Sequence, residues 1–217
     1  MAARLHALVV RTPDPERLSA FWDGLLADSE VPIRLRYAQS DLPRGLLNQI
    51  HFHLSSNTAS QEATVARALE LGAIHLDVGQ LPEEGHVVLA DPDGNEFCVI
   101  EAGNTWLAGT GLLGELAADG TREVGVFWAA ALDWPLVHDD DGETAIAPPE
   151  GGFKIAWGGP PLNERAPRNL MHFGLVVDDL EEEVARLVGL GAREIARPDD
   201  AVELEDPEGN EFSVSAG

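Results

Sequence analysis

Short apolar runs and longer amphipathic stretches follow one another in a fixed order along this chain. Residues 5–10 read as a strand. Asp14 can cap a helix with Pro15 at its first position, and Phe21, Trp22, Leu25 and Leu26 form its apolar side. Residues 33–37 read as a strand again. A second unit opens with a strand over 49–54. Its helix is capped at Thr58 with Gln61 three residues on, carries Val65, Leu69 and Leu71, and stops at Gly72. Strands over 74–78, 87–89 and 97–100 complete it. The downstream half closes in the same way, with a strand over 171–177, a helix capped by Asp179 and stopped at Gly191, and strands near 193–196, 202–205 and 212–214.

This order reflects an internal duplication. Asp91-Pro-Asp-Gly-Asn-Glu-Phe corresponds to Asp206-Pro-Glu-Gly-Asn-Glu-Phe, Phe21-Trp22 to Phe127-Trp128, and the stretch around His51-Phe52 to that around His172-Phe173. The seam falls near Ala102-Gly103-Asn104, giving one domain over 1–103 and another over 104–217. The Asp-Pro-x-Gly stretches read as hairpin turns, because Pro presets φ and the glycine accepts positive φ. The copies differ after the first helix. Residues 135–148 have room for a hairpin turning at Asp139-Asp140-Asp141-Gly142, which the first copy lacks.

Composition narrows the partners. The net charge of −24 repels phosphate backbones and anionic membranes, so nucleic-acid and membrane partners are not expected; a cationic small molecule suits the field better. No apolar run is long enough to span a bilayer. The opening residues turn polar too quickly for a signal peptide, and the single cysteine, Cys98, forms no internal disulfide. A cytoplasmic location is expected.

The duplicated turns, each leading into an apolar strand, and the histidine-bearing strands around His6, His51 and His172 resemble the vicinal-oxygen-chelate superfamily of glyoxalase, bleomycin-resistance and extradiol-dioxygenase proteins. The resemblance covers nearly the whole chain. It implies an α+β fold of tandem paired βαβββ modules, here with the first module shortened, and a homodimer as an expected assembly. It also implies a divalent metal, one of Zn, Ni, Fe or Mn, held by side chains on the first and last strands of paired modules. In domain 1 those positions fall on His6, His51 and Cys98, where the family's last-strand glutamate is replaced by the thiol; the second strand offers Arg34 and Arg36 in place of carboxylates. In domain 2 only His172 matches, the other positions falling on Leu112 or Leu113 and on Ser213, so no metal is expected there.

His53 shares a face with His51, since strand side chains alternate. With Tyr37, Trp157 and His172 it is expected to line a ligand pocket. Two functions follow from the resemblance: small-molecule binding with an incomplete metal site, or metal-dependent lyase, isomerase or dioxygenase chemistry in a His6–His51 cleft. A third use of the same residues, Cys98 as a nucleophile beside a histidine, competes with an inert buried thiol.

Overall fold

The computed structural model describes residues 3–44, 47–81, 83–164 and 168–217. The chain folds as four successive units. The first is β1 (Arg4–Thr12), α1 (Pro15–Leu25) and β2 (Arg34–Gln39). The second is β3 (Ile50–Leu54), α2 (Gln61–Glu70), β4 (Ile74–His75), β5 (Val87–Ala90) and β6 (Glu96–Val99). The third is β7 (Leu113–Ala118), α3 (Arg122–Leu132), β8 (Leu136–Asp140), β9 (Glu143–Ile146) and β10 (Lys154–Trp157). The fourth is β11 (Met171–Val177), α4 (Leu180–Leu190), β12 (Arg193–Ala196), β13 (Val202–Glu205) and β14 (Glu211–Ala216). The α+β architecture of tandem modules, shortened in the first, is therefore present.

Local chemistry explains most element boundaries. Asp14 and Asp179 accept hydrogen bonds from the backbone N–H groups of Arg17 and Glu182, capping α1 and α4. Ser60, not Thr58, caps α2 by accepting from Ala63 N; both carry a hydroxyl, but the helix begins at Gln61. The β8–β9 hairpin turns through Asp141 and Gly142, whose φ angles of 50° and 88° suit a two-residue hairpin turn with positive φ at both positions.

The units pair across the duplication. One sheet has the order β12-β13-β14-β11-β1-β2 and joins the first unit to the fourth. The other has the order β4-β5-β6-β3-β7-β10-β9-β8 and joins the second to the third. β1 lies antiparallel to β11, and β3 antiparallel to β7. Each sheet thus draws one unit from each sequence copy. The strands missing from the first unit leave β2 as an edge of the six-stranded sheet.

One face of each sheet faces a shared core. Leu8, Val10, Phe173 and Leu175 from one sheet join Phe52, Leu54, Leu116 and Ile155 from the other. Trp22 and Trp128 on the helices complete it. Strand alternation sends the neighbouring residues to the outward faces. The duplicated turns tie helices to hairpins: Trp22 Nε1 donates to Asp91 at 3.2 Å and Trp128 Nε1 to Asp206 at 3.3 Å. The glutamates that follow hold arginines, Glu96 pairing with Arg44 and Glu211 with Arg11 and Arg168. The repeated motif is a structural clasp.

Gly125 lets α3 approach the eight-stranded sheet. A Cβ there would stand 2.7 Å from Thr144 Cβ and 3.2 Å from the Trp157 ring, and both residues are buried. Gly125→Ala is expected to lower stability by about 1–3 kcal/mol through overpacking, despite alanine's better helix propensity. Urea denaturation checks this; an unchanged midpoint would mean the helix can shift without cost.

Candidate metal centre

The outward face of the eight-stranded sheet carries a row of unlike side chains in register. Cys98 on β6 is level with His53 on β3, His53 with Glu115 on β7, and Glu115 with Lys154 on β10. His51 stands two residues along the same face of β3, level with Ala117. Phe52 and Leu54, between and beyond the histidines, are buried in the core, which fixes both imidazoles outward.

One ligand atom from each of His51, His53 and Cys98 lies within 4.8 Å of the others. The two imidazole Nε2 atoms are 3.0 Å apart. That approaches the roughly 3.3 Å separation of two nitrogens about 2.0 Å from one tetrahedral ion. His53 Nδ1 meets Glu115 Oε2 at 2.6 Å, and Trp106 Nε1 donates to Glu115 Oε1 at 2.6 Å. Glu115 is 3% exposed, so this carboxylate is committed to two partners in a dry setting. The arrangement orients the His53 ring by its other nitrogen, the usual outer support of a metal-ligating histidine.

The electrostatics divide the histidines. Burial works against a His53 cation, but the adjoining Cys98 and Glu115 side chains outweigh it and lift its pKa to about 9. Burial, reinforced by the charges of His53 and His86, lowers His51 to about 3. Without a metal, the pair therefore shares a proton at neutral pH: the His53 cation donates to Glu115 and toward neutral His51. A metal held at these nitrogens would displace that proton.

Both histidines line two adjoining clefts. The larger, about 380 Å³, is bounded by Glu115, Trp106, Asp119, Glu143 and Trp157 among others. The smaller, about 230 Å³, is bounded by Cys98, Leu47, Val78 and Val88. Trp106 forms one wall, with the Lys154 ammonium 4.3 Å from its ring centroid and His138 packed edge-on at 5.0 Å.

The structure brings together only part of the expected constellation. His51, His53 and Cys98 converge, and Trp157 reaches the larger cleft. His6 does not join them. It is exposed on β1 in the six-stranded sheet, because β1 pairs with β11 and β2, whereas β3 pairs with β6 and β7. The expected His6–His51 cleft therefore does not form. Tyr37 packs toward the core, its hydroxyl buried without a partner among the described residues and its pKa raised by burial and by Asp23 and Asp91. His172 lies on the outward face of the other sheet.

Glu115 is the residue that sequence reasoning passed over. The duplication placed the first-strand position at Leu112 or Leu113, whereas the β3–β7 register, regular from Ile50–Ala118 to His53–Glu115, brings Glu115 opposite His53. A lone glutamate between Gly114 and Leu116 was the available signal.

Two paired βαβββ sheets, one bearing a histidine–cysteine cluster in its outward cleft, define a protein of the glyoxalase, bleomycin-resistance and dioxygenase superfamily. The chain belongs to the family described as glyoxalase-like domain, whose model matches residues 7–100 and 115–215. Among solved structures it is similar to glyoxalase I from Zea mays, at 13% identity and a TM-score of 0.64 over 99% of this chain and 92% of that one. A mutant form of the same maize protein matches at 12% identity and a TM-score of 0.66, over 99% and 94% of the two chains. A putative dioxygenase from Bacillus subtilis matches at 11% identity and a TM-score of 0.58, over 99% and 85%. At these identities the likeness is one of fold. No curated protein sequence matches the chain significantly.

Proposed function

We propose that the chain is a metal-dependent enzyme acting on a small molecule bound against the outward face of the eight-stranded sheet. The observation that carries this reading is the convergence of His51, His53 and Cys98, with Glu115 behind His53, at the floor of adjoining clefts. Two imidazole nitrogens and a thiolate fit a borderline-soft ion; zinc suits the set best and manganese least. Three protein ligands leave a coordination position for substrate or water. Such an ion supplies Lewis-acid polarisation of a bound oxygen.

The surrounding side chains complete the division of labour. Glu115 accepts from His53 Nδ1 and fixes the ring, while Trp106 holds Glu115 and shields it from water. Leu47 and Val78, 44% and 46% exposed, give the smaller cleft an apolar rim. Asp119 and Glu143 make the larger cleft acidic, which favours a neutral or cationic substrate with an apolar arm. The lyase, isomerase and dioxygenase classes remain the reactions for which this donor set is suited.

Elemental analysis of protein purified without chelator tests the proposal. About one equivalent of zinc or another transition metal per chain is expected. Less than about a tenth of an equivalent, with no uptake on adding zinc, would leave small-molecule binding without metal as the surviving reading.

A further inference from the structure

The six-stranded sheet presents a second outward face with the opposite electrical character. Arg36 on β2, Val9 on β1 and His172 on β11 are level with one another across the sheet. The adjoining row runs Arg34, Ala7, Gly174, Ser213 and Glu203. Its middle three residues are small. A Cβ added to Gly174 would meet nothing closer than 3.6 Å, so this row forms a shallow trough with room above it. Arg11 and Arg168 stand beside His172, both engaging Glu211.

Several observations mark this face as an incomplete anion site. His172 is 8% exposed, and its Nδ1 has no hydrogen-bond partner among the described residues. A buried polar nitrogen left unpaired is costly unless something else meets it. The side chains of Arg34 and Arg36 have no ion pair or hydrogen bond among the described residues. Among the described residues, Arg11, Arg34, Arg36 and Arg168 stand around the trough with Glu203 and Glu211, and Glu205, level with Glu211, is paired with Arg193, so the arginines outnumber the carboxylates by two. The charges of Arg11, Arg168 and Arg36 add to burial in lowering His172 to about 3, so the imidazole is neutral and can donate a hydrogen bond without contributing charge. In a chain of net charge −24 this local excess of cations is a reversal of the general field. At physiological salt it persists at close range, since distant acidic groups are screened beyond about 8 Å.

We propose that the outward face of the six-stranded sheet binds a small oxyanion, the carboxylate or phosphate group of a metabolite, between Arg36 and His172. The absence of the hairpin that unit three carries as β8 and β9 leaves Arg34 and Arg36 on an open edge, where their guanidinium groups can meet a ligand entering from that side. The site is independent of the metal cluster, which lies on the other sheet.

Isothermal titration calorimetry with inorganic phosphate and with succinate, against sodium chloride at matched ionic strength, tests this. One site per chain is expected for at least one probe, weakened at least about tenfold by Arg36→Gln through loss of a charge-assisted contact. Phosphate tighter than succinate would indicate a phosphoryl ligand, and the reverse order a carboxylate. Cys98→Ser is expected to leave the titration unchanged. Arg36 lies on an exposed edge strand, so its replacement should not impair folding, which circular dichroism verifies. No heat beyond the chloride control with either probe would overturn the proposal. So would equal binding by the Arg36→Gln protein, or binding abolished by Cys98→Ser, which would move the anion to the other sheet.

Discussion

Cys98→Ala is expected to lower zinc affinity by more than about a hundredfold, while His6→Ala leaves it unchanged. The thiol is one of three clustered donors, so on the proposed reading its loss would remove a direct contact to the ion rather than a support. Glu115→Ala is expected to fall between the two, at about 10- to 100-fold, the usual effect of losing an outer hydrogen-bond partner of a ligating histidine. Its cost arises at His53, whose ring would lose the 2.6 Å contact that fixes it. Competition with a chromophoric chelator measures all three dissociation constants. The ordering is the discriminating result, because the sequence resemblance alone would pair His6 with His51. If His6→Ala weakened zinc as much as Cys98→Ala, the placement of the site on the eight-stranded sheet would be wrong. Cys98 is 7% exposed and lies in a small apolar cluster with Val88, Ile100 and Leu107, so alanine also opens a modest cavity. The fold should survive this change, and circular dichroism distinguishes lost donors from lost structure.

The same contrast shows what a sequence of this kind encodes locally and what it leaves to the assembled chain. The caps at Asp14 and Asp179, the Asp141-Gly142 turn and the outward direction of His51 and His53 follow from neighbours within a few residues, and these were legible. The sheet partners were not. β1 and β3 both alternate core-facing with outward residues, and nothing in that pattern says that β1 should meet β11 while β3 meets β7. The duplication suggested that each copy closes on itself; the shared core is instead built by exchange between copies. A second kind of failure appears at residues 74–78. Their apolar alternation suggested a strand, yet only Ile74–His75 pairs, and Ile74 and Val78 are 62% and 46% exposed. That segment lies at the outer edge of the sheet, where β-propensity has no second partner to satisfy it. Glu115 was hidden for a third reason: the repeat placed the first-strand position at Leu112 or Leu113, whereas the pairing of β3 with β7, set only on assembly, puts Glu115 opposite His53.

The clasp between helix and turn accounts for the largest expected loss of stability. Trp22→Ala should destabilise the protein by about 3–5 kcal/mol, a large share of the stability of an ordinary domain. Trp22 is 1% exposed, and its ring packs against Phe52 and Phe97 at centroid distances of 4.5 and 5.1 Å. Removing it leaves a void lined by aromatic faces that cannot collapse without dragging α1 across the sheet. Trp22→Phe separates this packing from the hydrogen bond to Asp91. The phenyl ring retains much of the buried area but donates nothing, and Asp91 keeps its contacts from Asn95 and Asp93. The expected cost is therefore smaller, about 1–3 kcal/mol. Trp128 repeats the arrangement with Phe173, Phe212 and Asp206, so Trp128→Ala and Trp128→Phe should show the same two-step ordering. Urea denaturation of the four variants measures it. Near-equal losses for phenylalanine and alanine at both positions would assign the clasp to the indole N–H rather than to the ring. A loss below about 1 kcal/mol for either alanine variant would contradict a core that holds both copies through these tryptophans.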